Sequence, residues 1–517
     1  MEHNIGAIGN DKVTPMQELN EALGKCKFGR FHIHLLFVSF AGSVASVLVT
    51  HTTSYLITSA ECDLNMDLIE KGMLNASPYL GSLFSSVLAG FLTDTFGRKR
   101  FLILGFGGIF IFTLLAGSSQ TYEVLLTAKF FEGMCFAISL SASVTYISEF
   151  CHNEIRDRLV VSQTSFAAIA QIISTAMAWG ILTQDWRVVF LDGKFVLNTW
   201  NFYLFAVSLW SFLACILYSR LPESPKYLLT QKKYAKVRNI LIEIYKSNRC
   251  DTASVCPFVD MWKDKIKKDL ITNEKERNSL KDQVLISLRN VKANFRKSLL
   301  ILLFTLCFLF FLIMGKYNVV RLWFPQLSTI VEHSQMNADQ DLCVLLDKYT
   351  GELKLSNSNA TNEDYCVPTK SGTETYTNNM IIGLVSLLPH FITGALVNKV
   401  GKKALLVTLC LISAGAISGV RWANSRTAVV ALFSLDIAIT QSIKSLIQAV
   451  TIEFFPTAVR TLTISLVMTF ARIGTLVGNV LFPILLDIQC IIPFFSMAGI
   501  MTFVTLVTLF LPKKKEK

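Results

Sequence analysis

Several charged residues lie inside long apolar runs, where a charge needs a reason. Lys129 and Glu132 stand three apart, and Asp436 and Lys444 stand eight apart with Thr440 and Gln441 between them. Arg472 follows Arg460 by twelve positions, about 18 Å along a helix. A charge within a membrane is costly and marks a pathway unless a partner neutralises it. Lys129 and Glu132 share one helical face, so they suit either a pathway or mutual neutralisation. Asp436 and Lys444 lie nearly on one face, so they suit either a polar cavity or internal pairing. No group here reads as catalytic. The sequence has no Gly-Lys-Ser/Thr phosphate loop and no His-Glu-x-x-His, and Cys250 and Cys256 lack the spacing and neighbours of a zinc site. No cofactor or metal is expected, and the chain does not read as an enzyme.

The elements that must carry these charges are membrane helices. Of 517 residues 52% are hydrophobic and 17% charged, with mean hydropathy +0.47. Runs of about 20 apolar residues are long enough to span a bilayer. About twelve occur, at 35–58, 73–93, 101–118, 123–147, 159–183, 199–220, 299–323, 378–398, 403–420, 427–450, 461–486 and 489–511. Loop charge alternates. Residues 221–297 hold 18 Lys or Arg against 9 Asp or Glu, whereas 324–377 hold 3 against 8. The net charge of +12 is therefore a matter of topology, with both termini cytoplasmic, and not a nucleic-acid patch. Residues 1–34 form a polar tail without a cleavable signal, expected to be mobile, and Lys513, Lys514 and Lys515 mark a second tail, 512–517. Cys343 and Cys366 share the long outer stretch, where a disulfide is expected. Asn359-Ala-Thr361 is an acceptable glycosylation sequon in the same stretch.

Between the second and third runs stands Gly90-Phe-Leu-Thr-Asp-Thr-Phe-Gly-Arg-Lys-Arg100. It returns 304 positions later as Gly394-Ala-Leu-Val-Asn-Lys-Val-Gly-Lys-Lys403. The same offset carries Asp94 to Asn398, Arg98 to Lys402, Glu149 to Glu453 and Arg156 to Arg460. Matching gaps across two motifs indicate a duplicated six-helix unit related by an axis along the membrane normal. The chain then divides into a tail (1–34), a first bundle (35–220), a basic loop (221–298), a second bundle with outer loop 324–377 (299–511) and the last tail.

These motifs resemble the signatures of the major facilitator superfamily. The glycine-cation loop is similar to the one between its second and third helices, and Glu-x6-Arg to the pair after its fourth and tenth. Pro222-Glu-Ser-Pro-Lys226 resembles a motif of sugar porters and organic ion transporters. Trp323-Phe-Pro325 before a long outer loop, and Val450-Thr-Ile-Glu-Phe-Phe-Pro456, are similar to the synaptic vesicle glycoprotein 2 family. The resemblance implies an all-α membrane protein of two pseudo-symmetric six-helix bundles. Spans one, four, seven and ten would line a central cavity, with Asp436, Lys444, Arg472, Lys129, Glu132 and Tyr317 as cavity candidates.

A carrier of this type opens to one side at a time. Asp94, Arg98, Glu149 and Arg156, repeated as Glu453 and Arg460, are expected to form its cytoplasmic gate, with Asp94 capping a helix of the other half. Asn398 lacks the charge of Asp94, so the second gate should be weaker. Hexose-porter motifs are missing from 299–323 and 427–453, and the first span has no acid for proton symport of the usual sugar-porter kind. The expected function is secondary transport of a small organic solute, with Lys444 and Arg472 favouring an organic anion or zwitterion. The alternative is a non-transporting vesicle-type protein acting in trafficking or partner binding. The expected surroundings are a lipid bilayer, of the plasma membrane or an intracellular vesicle, and a small-molecule substrate.

Overall fold

The computed structural model describes residues 14–249, 257–266, 297–333, 341–358 and 370–510, apart from positions 191, 193, 264 and 456. The first bundle holds α2 (Arg30–Ala60), α3 (Leu68–Phe96), α4 (Arg98–Gly117), α5 (Tyr122–Glu149), α6 (Asn153–Leu182) and α7 (Thr199–Arg220). The second holds α10 (Lys297–His333), the pair α12 (Thr373–Val385) and α13 (Leu387–Val400), α14 (Lys402–Gly419), α15 (Arg426–Phe454), α16 (Thr457–Ile488) and α17 (Ile491–Leu509). Each follows one apolar run of the sequence. Among the described residues nine helices are long and apolar enough to cross a membrane. The eighth run is two helices because Pro389, in the first turn of α13, has no N–H to carry the hydrogen-bond ladder back across Ser386.

Local chemistry sets the ends. Asp67 caps α3 in a reciprocal box with Glu70, at 2.6 and 2.9 Å. Gly97 and Gly401, the paired glycines of the repeat, both take positive φ, 103° and 87°, and each begins a helix with Arg98 or Lys402. A side chain there would be strained, so the repeat is conformational as well as electrostatic. One departure from an all-helical chain is a short antiparallel hairpin, β1 (Arg187–Phe190) with β2 (Phe195–Asn198). The Gln120 amide bonds both the N–H and the C=O of Val196 at 3.0 Å and holds this hairpin against the first bundle.

The halves meet along α2 with α10, α3 with α16, and α6 with α12. The bundle has a basic end, where α8 (Pro225–Thr230) and α9 (Tyr234–Arg249) pack, and an acidic end, where α11 (Leu342–Ser358) packs. The first tail is not loose throughout. α1 (Pro15–Lys25) buries Leu19, Ala22 and Leu23 against the basic-end helices. Glu18 takes the indole N–H of Trp262, and Asn248 bonds Phe31 N, Lys27 O and Cys26 O at 2.9–3.1 Å. An amphipathic helix with its apolar face covered gains enough burial to stay docked.

The expected Cys343–Cys366 disulfide is corrected. Cys343 of α11 is bonded to Cys490, at the start of α17, with Cα atoms 5.2 Å apart. The reason is the helical form of the stretch after Cys343: it lays α11 over the end of the second bundle, where Asp347 also accepts from Cys490 N at 2.8 Å. Cys62 is disulfide-bonded as well. Cys366 and Asn359 lie outside the described residues, as do Cys250, Cys256 and 511–517.

Candidate functional site

α10 crosses the centre of the molecule and carries Lys316, Tyr317 and Arg321 within two turns. Tyr317 is buried, and two cations approach its ring. Arg321 lies 5.5 Å from the centroid and Lys444 of α15 lies 5.6 Å from it. A cation over an aromatic face gains about 0.5–2 kcal/mol according to its exposure. Arg321 also meets the phenols of Tyr79 and Tyr317, and His51 and Tyr55 of α2 lie within its electrostatic reach. The cluster thus draws on α2 and α3 of one half and α10 and α15 of the other. Among the described residues no carboxylate pairs with Arg321 or Lys444. Two cations held together without an acid form a local positive field that an anion can enter.

Other expected cavity residues go elsewhere. Lys129 and Glu132 are fully buried and paired at 2.7 Å, with Thr113 donating to Glu132 at 2.9 Å and Lys129 donating to Thr52 at 3.1 Å. Asp436 is not brought to Lys444. It forms a fully buried ion pair with Lys316, and Ser413 donates to its Oδ1 at 2.6 Å. Lys316 in turn donates to Ser413 at 2.8 Å and Thr440 at 3.0 Å. Eight helical residues leave about 80° between two side chains, enough to aim Asp436 and Lys444 at different neighbours. Arg472 reaches across the halves and donates to Ser82 O at 3.3 Å. Lys316 and Arg321 were missed in the sequence reading. Their signal was the same as for Lys444, a cation in an apolar run.

At the basic end Arg98 Nε pairs with Glu149 at 2.8 Å, and Ser224 Oγ donates to Glu149. Glu223 accepts from Lys99 N at 3.1 Å, so its carboxylate sits at the N-terminus of α4, where the helix dipole favours it. The Pro222-Glu-Ser-Pro-Lys226 motif therefore joins the ends of α4 and α5. In the second half Lys402 pairs with Glu453 at 2.5 Å. The side chains of the first pair are 14% and 11% exposed and those of the second 37% and 27%, so the second is the more solvated. Asp94, Arg156, Asn398 and Arg460 sit on helices, but their side chains lie outside the described residues.

Family models match two parts of the chain: "Sugar (and other) transporter" over residues 36–314, more than half of its length, and "Major Facilitator Superfamily" over 371–517. Synaptic vesicle glycoprotein 2B of Rattus norvegicus is 26% identical over 226 residues, 44% of this chain and 33% of that protein. Synaptic vesicle glycoprotein 2A of Homo sapiens is 25% identical over 232 residues, 45% and 31%. The aligned part spans about a third of the length of these curated relatives. A D-xylose-proton symporter has the same fold, with TM-score 0.62 and 15% identity over 93% of this chain and 98% of that one. The inward-open xylose transporter XylE from E. coli gives 0.60 and 14%, over 94% and 98%. The two halves, their paired motifs and these matches agree: the chain is a multi-pass membrane protein of the sugar (and other) transporter family, within the major facilitator superfamily.

Proposed function

We propose that this protein is a secondary carrier that moves a small organic anion across a membrane by alternating access. The observation that carries the reading is the convergence of Arg321 and Lys444 on Tyr317, between the halves and with no carboxylate paired to either among the described residues. An anion there replaces lost hydration with two charge-assisted contacts. A zwitterion needs an acid beside the cations, and among the described residues the nearby acids are engaged: Asp436 with Lys316 and Glu132 with Lys129. The halves rock about this point; Arg98–Glu149 and Lys402–Glu453 each brace the basic end of one half, where the gate read from the sequence at Asp94, Arg156 and Arg460 belongs. The loop charges support a cytoplasmic basic end with both termini there. They also support the five-part division read from the sequence.

The test is a thermal-shift panel on the purified full-length protein, using aliphatic and aromatic carboxylates, sulfonates, amino acids and hexoses. A ligand of the folded state raises Tm by mass action. Carboxylates should stabilise the parent, and Arg321→Ala and Lys444→Ala should each lose the shift. Stabilisation by hexoses alone rejects the anion reading. No shift by any class favours the alternative, a non-transporting membrane protein.

A further inference from the structure

The acidic end holds a buried polar cluster that the central site does not use. Glu61, just after α2, pairs with Lys71 of α3 at 2.5 Å, and the Lys71 side chain is wholly buried. Tyr349 of α11 completes the set. Its hydroxyl accepts from Lys71 at 3.4 Å and from Gln326 of α10 at 3.2 Å, and donates to Glu61 at 3.4 Å. Burial, then the Glu61 carboxylate, pushes the Tyr349 phenol up, so it stays protonated and able to donate.

Glu61 and Lys71 belong to one half, and Tyr349 and Gln326 to the other. α11 is fastened to its own half by the Cys343–Cys490 bond and by Asp347 on Cys490 N. A charge pair of the first bundle is thus held by a phenol fixed to the second. Below it, Lys71, Asn75 and Tyr79 form one stripe of α3 at four-residue steps. Tyr79 meets Arg321, so the stripe leads from the cluster to the central cations. Lys71, Asn75 and Tyr79 are all buried, and neither amide atom of Asn75 has a partner among the described residues. The route is closed here. A Cβ on Gly72 would stand 2.7 Å from Asn479 O on the other half, a separation that tolerates no side chain.

We propose that Tyr349 with Glu61 and Lys71 is the latch that closes the acidic end of the solute route, and that α11 is the rigid arm carrying it. This rests on the carrier reading. Opening this end must part Tyr349 from Glu61 and Lys71, but it leaves those two paired on one half. No buried charge is stranded, so the latch can release at modest cost. Two contacts of 3.4 Å are long for hydrogen bonds, which also suits a contact that must break.

The experiment uses the purified full-length chain with Asn75→Cys as reporter, the chain without the reporter supplying the background. Maleimide labelling of position 75 reads how often the route opens. Tyr349→Phe removes one oxygen and should speed labelling about tenfold, a shift of about 1.4 kcal/mol. Replacing Cys343 and Cys490 by Ser should free the arm and give a similar gain, with Tyr349→Phe adding little on top. Labelling of Tyr349→Phe at the parent rate overturns the latch. So does full multiplication of the two gains, because it means that α11 and Tyr349 act independently. Size-exclusion profiles confirm that each variant is folded. The carrier reading fails separately, through the ligand panel, and needs no labelling.

Discussion

Removing one partner of the Lys316–Asp436 pair is the sharpest test of how the second bundle is held. Both side chains are shut off from solvent, and among the described residues the pair has two hydroxyl neighbours, Ser413 and Thr440. Loss of one member of a buried pair costs about 3–5 kcal/mol, because the remaining charge has no water to return to. The two losses differ. Asp436→Asn leaves the Lys316 ammonium with Ser413 and Thr440 and a new amide oxygen, so its cost should fall at the low end, about 3 kcal/mol. Lys316→Met leaves the Asp436 carboxylate, among the described residues, with the Ser413 hydroxyl on Oδ1 and no partner on Oδ2. Its cost should fall at the high end, about 5 kcal/mol. The double variant Lys316→Met with Asp436→Leu removes both charges and should return to within about 1 kcal/mol of the parent. The assay is reversible unfolding in mixed detergent and SDS micelles, followed by tryptophan fluorescence. The anion panel is repeated on the double variant, where ligand stabilisation should persist. Costs below about 1 kcal/mol for both single variants would refute the buried-pair reasoning, since that is the range of solvated pairs. Loss of ligand binding in the stable double variant would return Asp436 to the cavity.

Three further outcomes are expected. Glu149→Gln should speed labelling of a cysteine in the inner half of α6 more than Glu453→Gln does, because Arg98–Glu149 is the less solvated pair; equal rates would reduce both motifs to folding signals. Glu223→Ala should destabilise the protein by about 1 kcal/mol, as for loss of a helix cap, whereas Glu223→Gln should recover part of this by accepting from Lys99 N; equal losses would show that charge alone matters. Asn248→Ala uncouples three backbone groups at the α1–α2 junction and should expose the chain near Lys27 to trypsin, so an unchanged digest would place the docking of α1 elsewhere.

The apolar runs, the 304-residue repeat and the glycine turns were readable because each is a local rule: span length, spacing and a positive φ that a glycine supplies. Partners were not. Asp436 and Lys444 share a helix in sequence, yet Lys316 on another helix takes Asp436, and only the packing of α10 on α15 brings them together. The Cys343 pairing failed for a like reason. Sequence proximity favoured Cys366, but a helical turn after Cys343 carries that residue to Cys490. Lys316 and Arg321 were legible as intramembrane cations by the same signal as Lys444. The hairpin was legible too: Asp192-Gly193 between two apolar stretches is a strong turn signal.

The two ends of the molecule are secured by different chemistry, and the difference follows from what each must do. At the basic end the visible ion pairs lie within a half: Arg98 with Glu149 in the first, Lys402 with Glu453 in the second. Such pairs stiffen the end of a bundle and leave the other half free to move past it. The acidic end has such pairs too, Glu61–Lys71, Asp341–Arg421 and Glu374–Arg426, but there a second set of contacts runs between halves. Thr58 of α2 receives Ser371 at 3.1 Å, Tyr55 lies 6.1 Å from the ring of Tyr376, Lys370 pairs with Asp185, and Tyr349 reaches Glu61 and Lys71. All of these must break together if that end is to open. Hydroxyl, ring, phenol and exposed ion-pair contacts contribute about 1 kcal/mol each at most, so these five can be outweighed by a ligand that binds the open form about ten-thousandfold more tightly. A closure built from buried ion pairs split between the halves would cost several times more to part. Weak contacts between the halves and strong ones within them are what a body that rocks on a central site requires.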